Sequence, residues 1–111
     1  MIIKKPSIYI YVNEPLTDLL REICSGIEEE GIFYEVIERE SKDVNTLAFD
    51  AANNSMLGSG IGMIGRRVGF QLKGLKKETL VFSLKDPSLK EARILGMNSA
   101  RALKKQPFKE V

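Results

Sequence analysis

The sequence predicts an α/β protein, a three-layer α/β/α sandwich built on a mixed five-stranded sheet with helices on both faces. Three observations carry this. Residues 8–12 read Ile-Tyr-Ile-Tyr-Val, β-branched and aromatic without polar alternation, as in a strand covered on both sides. Strand-like runs alternate with apolar residues at helical spacing, giving the order β-α-β-α-β-β-β-α. The chain has 111 residues, which suits one domain spanning 1–111, with no repeat, low-complexity tract or linker to divide it.

After the first strand, Asn13 is placed to cap a helix, with Pro15 tolerated in its first turn. Leu16, Leu19, Leu20, Ile23 and Ile27 supply its apolar face, and Gly31 offers a stop. Residues 33–37 form a short second strand. Asp43 caps a second helix whose apolar face is Val44, Leu47, Ala48 and Ala51. The later part of residues 57–64 reads as a third strand. A tight turn at Gly65 leads into residues 66–72, where Val68, Phe70 and Leu72 alternate, so the fourth strand runs antiparallel to the third. Residues 80–84 are a fifth strand. Asp86 or Ser88 caps the last helix, and Ser88 with Glu91 makes a capping box. Its inward stripe is mostly small: Leu89, Ala92, Gly96, Ser99, Ala100 and Leu103. Pro107 marks the end.

Composition excludes whole classes of function. There is no histidine, hence no Ser-His-Asp or Cys-His relay and no histidine metal site. The net charge of +2 comes from well-mixed residues, which does not favour a nucleic-acid or membrane-surface protein. No run approaches a membrane span, and the first six residues do not read as a signal peptide. The lone Cys24 cannot form an internal disulfide, so a reducing compartment is the simpler reading: the cytoplasm, or an assembly within it such as a bacterial microcompartment. Cys24 lies beside an apolar helix face with nothing near to lower its pKa, which marks a structural thiol rather than a reactive one.

Gly60-Ile-Gly-Met-Ile-Gly65 matches the dinucleotide pattern G-x-G-x-x-G, but it follows a helix and precedes an alternating strand. A nucleotide-binding loop is therefore the weaker reading; glycines that permit close backbone packing and a turn are the stronger. Arg66, Arg67, Lys73, Lys76 and Lys77 could form a basic patch but lack interleaved aromatics. Arg101, Lys104, Lys105 and Lys109 complement the dipole of the last helix.

Glu28-Glu29-Glu30 closes the first helix, where carboxylates face the negative end of the helix dipole and repel one another. No Lys or Arg shares that turn. At about 100° per residue, Glu29 projects opposite Ile27 and away from the core. Two readings stand: a solvated acidic end, or one neutralised by a cation or a partner's basic group. Lone carboxylates hold a hard cation weakly, so further ligands would come from elsewhere.

Two segments resemble a known family. Gly26-Ile-Glu-Glu-Glu-Gly-Ile32 ends a helix and leads into a strand, and Asn98-Ser-Ala-Arg-Ala-Leu-Lys-Lys-Gln-Pro-Phe108 ends the chain. Together they are similar to the family that contains the small subunit of diol and glycerol dehydratase reactivases and the medium subunit of the dehydratases themselves. The resemblance runs from the first strand to Phe108. It implies a three-layer, anticodon-binding-domain-like fold with one antiparallel strand in the sheet. It also implies a non-catalytic subunit with no cofactor of its own. Such a subunit works beside a large ATPase subunit that carries magnesium and ATP or ADP, in a heterotetramer with dehydratase subunits as client. By subunit exchange, the complex opens an exit for damaged cobalamin. The resemblance further implies that Glu29 reaches a magnesium ion at the interface with the large subunit, with Glu28, Glu29 and Glu30 forming the partner-binding end. The segment Leu57-Gly-Ser-Gly-Ile-Gly62 is equally similar to the dehydratase medium subunit, which contacts adenosylcobalamin; that is the alternative. The short lead into the first strand favours the reactivase subunit.

Overall fold

The computed structural model describes residues 5–41 and 43–110. Strand β1 (Ile8–Pro15) lies inside the sheet and explains its own composition. Its Ile8, Ile10 and Val12 point to one face and are fully buried; Tyr9 and Tyr11 point to the other and stack at 6.0 Å. Helix α1 (Thr17–Glu29) returns to β2 (Tyr34–Glu38), helix α2 (Val44–Asn54) to β3 (Ser59–Gly65), and β4 (Arg67–Leu72) and β5 (Phe82–Lys85) follow before helix α3 (Leu89–Lys104). The sheet order is β2-β1-β3-β4-β5. β1 pairs in parallel with β2 and β3, and β4 pairs antiparallel with β3 and β5, so β4 alone runs against the other four.

The crossover through α1 steps one way along the sheet and the crossover through α2 steps back past β1. With one handedness for both, the two helices fall on opposite faces. α1 and α3 pack together over the face formed by Ile10, Ile61, Met63, Val68 and Phe70. α2 covers the other face alone, through Leu47, Ala48, Ala51 and Ala52. This is the expected sandwich, with its single reversed strand.

The glycine-rich segment is strand, not loop. Cβ atoms added at Gly60 and Gly62 would stand 2.1 Å from the backbone nitrogen of Ala52 and 2.5 Å from that of Ala48. The glycines thus seat α2 directly on β3, leaving no space there for a pyrophosphate. Gly65 takes φ +56 in the two-residue turn to β4, a conformation that favours glycine.

Two expectations are corrected. Asn13 caps no helix: it remains in β1, and its amide donates to the carbonyl of Ser41 at 2.6 Å. The residue before a proline is kept out of the right-handed helical region; Glu14 takes φ +48 instead, and the strand register shifts between Asn13 and Pro15. The helix begins at Thr17, and Leu16 at the N-cap offers no side-chain bond. Leu80 lies outside β5; it covers Gly69 from the α2 side, while buried Gln71 ties down the same loop by donating to the carbonyls of Lys76 and Thr79, each at 2.9 Å. The basic positions form no single patch. Arg66 pairs with Asp86 at one end of β4, and Lys73 follows its other end, seven residues on and about 23 Å along an extended strand.

Candidate functional site

The three glutamates ending α1 diverge to three different neighbours. Glu28 accepts a hydrogen bond from the Tyr34 hydroxyl of β2 at 2.8 Å. Glu29 accepts from Arg93 Nη1 of α3 at 2.5 Å. Glu30 Oε1 accepts from Lys104 Nζ at 2.7 Å, and its Oε2 accepts from Arg101 Nε at 3.1 Å. Lys104 also donates to the main-chain carbonyl of Glu30 at 2.9 Å, at the negative end of the α1 dipole. No base lies in the last turn of α1, so the compensating charge arrives from α3. Arg101 and Lys104, expected only to complement their own helix, close the end of α1 as well.

Burial separates the three. The Glu30 side chain is 8 % exposed, and the hydrogen bond from Lys104 holds its carboxyl below the usual range. The Glu29 side chain is 48 % exposed, projecting outward as its helical position implied. Arg93 donates to Glu29 Oε1 alone, and no described residue bonds Glu29 Oε2. Glu29 can therefore offer one open carboxylate oxygen. Among the described residues no group of three His, Cys, Asp or Glu side chains could hold a metal ion, so a dication bound here would need ligands from outside this chain.

Cys24 lies half-buried near Tyr34 and Glu28. Burial pushes its thiol up to about 11, against a lowering bond from Tyr34, so it is an inert thiol near neutral pH. The bond to Glu28, joined by burial, raises the Tyr34 hydroxyl above the ordinary tyrosine range.

The same end of the fold exposes apolar side chains. Phe33 (54 % exposed) precedes β2 and Met56 (74 % exposed) follows α2. They flank the start of β1: Ile8 donates to the carbonyl of Phe33 at 2.9 Å, and the Ser55 hydroxyl donates to that of Ser7 at 2.6 Å. Sequence periodicity had no means of placing Met56 at the same end of the sheet as Phe33, since only the pairing of β1 with β2 and β3 brings these two segments together.

The second resembling segment is a structural clasp. The capping box of Ser88 and Glu91 starts α3 as expected, and Lys105 ends it at φ +56. The chain then turns back. Buried Asn98 accepts from the Lys109 amide at 2.7 Å and donates to its carbonyl at 3.1 Å, while Arg101 donates to the carbonyl of Pro107 and Phe108 meets Phe82 edge-on at 5.2 Å. Ile94 and Met97 are buried as well, whereas Leu89, expected in the inward stripe, is 52 % exposed in the first turn of α3. No helix among the described residues is long and apolar enough to cross a membrane.

Comparison with known proteins agrees with the resemblance. The family model described as dehydratase medium subunit matches residues 5–109. The propanediol dehydratase-reactivating factor small subunit of Citrobacter freundii is 36% identical over 95% of this chain and 91% of its own length. The diol dehydratase-reactivating factor small subunit of Klebsiella michiganensis is 33% identical over 96% of this chain and 86% of its own length. A chain in the structure of diol dehydratase-reactivating factor complexed with ADP and Mg2+ superposes with a TM-score of 0.89 at 31% identity, covering 96% of this chain and all of that one. A chain of a glycerol dehydratase reactivase shares the fold at a TM-score of 0.90 and 23% identity, covering 96% and 98%. The chain belongs to the dehydratase medium subunit family, among the small subunits of dehydratase-reactivating factors.

Proposed function

We propose that this chain is the small, non-catalytic subunit of an ATP-dependent, chaperone-like reactivating factor that releases damaged cobalamin from an adenosylcobalamin-dependent diol or glycerol dehydratase by subunit exchange. The observation that carries the reading is the pairing, at one end of the fold, of a half-exposed Glu29 carrying an open oxygen with the exposed apolar Phe33 and Met56. Apolar surface gives a docking face its affinity, and the carboxylate gives it a point of attachment. The partner is a large ATPase subunit; ATP or ADP and magnesium belong to that subunit, and Glu29 adds one ligand to its magnesium. Glu28 and Glu30 flank that contact, with Glu30 serving from within by fixing the helix end to α3. The client is the dehydratase, whose medium subunit shares this family and therefore this kind of docking surface. The setting is the cytoplasm or a microcompartment inside it, and neither nucleic acid nor membrane is a partner.

The test is reconstitution with the large subunit of a reactivating factor. A stable complex should form, inactivated dehydratase should recover only when both subunits, ATP and magnesium are present, and Phe33→Ser with Met56→Ser should weaken the complex at least tenfold. Dehydration turnover by this chain alone, or failure to bind while an established small subunit binds, would sink the proposal. The dehydratase medium subunit remains the second reading because the family model carries that description; co-purification with a dehydratase large subunit and cobalamin would select it.

A further inference from the structure

We infer that Arg93 is a positioning residue that aims Glu29 at the partner's cation, with Glu22 as its inner anchor. The inference rests on the proposed role of Glu29 and adds to it the part of this chain that makes one carboxylate usable.

The geometry begins at the crossing of α1 and α3. A Cβ on Gly26 would lie 2.2 Å from the carbonyl oxygen of Arg93, and a Cβ on Gly96 would lie 2.1 Å from that of Ile23. Each helix therefore presses its backbone on the other through a glycine. Gly26 stands one turn from Glu22 on one side and one turn from Glu29 on the other, so the contact sets Arg93 between the two carboxylates. Arg93 Nε donates to Glu22 Oε1 at 2.9 Å, and Nη1 donates to Glu29 Oε1 at 2.5 Å. A guanidinium is planar with donors in a rigid fork, so two attachments fix its orientation. Exposure rises outward along the relay, from 25 % at Glu22 through 35 % at Arg93 to 48 % at Glu29. The inner carboxylate anchors, and the outer one is presented with Oε2 open.

The neighbouring glutamates show why this matters. Glu30 has committed one oxygen to Lys104 and the other to Arg101, and it has none to give. Glu28 is held by the neutral hydroxyl of Tyr34. Glu29 alone is held by a charged group that leaves an oxygen outward. Carboxylates that ligate metals are generally fixed by such outer hydrogen bonds, and losing one typically costs about 10–100-fold in metal affinity.

The experiment measures association of this chain with the large subunit by titration calorimetry, with and without Mg2+, and takes the ratio of the two affinities. Glu29→Gln should bring that ratio close to one. Arg93→Met should lower it about tenfold while leaving the magnesium-free affinity unchanged, Arg93→Lys should recover part of the loss, and Glu22→Gln should fall between wild type and Arg93→Met. A wild-type ratio in Arg93→Met and Glu22→Gln, with Glu29→Gln at one, would overturn the inference and leave the Glu29 role standing. A raised ratio in Arg93→Met would also overturn it, because Arg93 would then compete with the cation. A ratio retained in Glu29→Gln would remove the Glu29 role and this inference together. Should Arg93→Met fail to fold, Glu22→Gln decides, since it leaves both Arg93 and Glu29 in place.

Discussion

The two faces of the sheet are closed by the same device and finished by different ones. On one face α2 sits on β3 through Gly60 and Gly62; on the other, α1 and α3 meet through Gly26 and Gly96. Beyond that backbone contact, the α2 face is completed by hydrogen bonds: Asp43 caps its own helix through Asn45 and Thr46, and the Asn54 amide donates to the Tyr11 hydroxyl. The α1–α3 face is completed by ion pairs between distant residues, Glu22 and Glu29 with Arg93 and Glu30 with Arg101 and Lys104. Close backbone packing makes a scaffold on either face; on the proposed reading, the charged helix ends it brings together on one of them form the docking surface.

Substitution at the crossings should have the largest effect. Gly26→Val and Gly60→Val each place a side chain on main-chain atoms of another element, and each should cost about 3 kcal/mol or more in denaturant unfolding. Similar losses on both faces would support a shared device; a tolerant Gly26 would break the comparison and loosen the basis for placing Arg93.

The next effect belongs to Glu30. Glu30→Gln leaves Arg101 and Lys104 without their charge partner and should cost about 2 kcal/mol at neutral pH. Its folded pKa lies below the ordinary glutamate value, so its stabilisation is fully present above about pH 4.3 and is lost as pH falls through the folded pKa. Asp43, on the α2 face, is lowered chiefly by its bond with Thr46 and contributes with the same sign. Wild type should therefore lose stability as acid is added below pH 4.3, the Glu30→Gln variant should lose less, and the double variant with Asp43→Asn less again. Equilibrium unfolding across pH 2.5–6 distinguishes these curves.

Smaller still are the caps, which are local. Ser88→Ala and Asp43→Ala should each cost about 1 kcal/mol, whichever face the helix covers. Glu29→Gln should leave the unfolding midpoint of the isolated chain nearly unchanged, because the carboxylate is half in water. That is the contrast the proposal draws within one helix end: Glu30 serves the fold and Glu29 the complex.

What could be read from the sequence follows the same division. The strands, the Asp43 cap, the Ser88–Glu91 box and the Gly65 turn depend on residues within one turn or one pleat of each other, and periodicity exposes them. The close-packing role of Gly60 and Gly62 was legible because a strand interior gives glycine few other uses. The Asn13 cap was misplaced because the restriction imposed by Pro15 on its predecessor outweighs capping preference. The partners of the acidic end were not legible. Glu30 meets Arg101 and Lys104 across separations of 71 and 74 residues, through a helix crossing that no pattern of spacing records. The tail clasp around Asn98 was visible as a motif but not as a clasp, since its bonds form only after the chain reverses at Lys105.

Amide hydrogen exchange of this chain, free and bound to the large subunit, tests the docking account most directly. Binding should slow exchange in residues 28–34 and 55–58, the end that presents Glu29, Phe33 and Met56, and leave the solvent side of α2 as it was. Slowing confined to α2, with residues 28–34 unaffected, would contradict it.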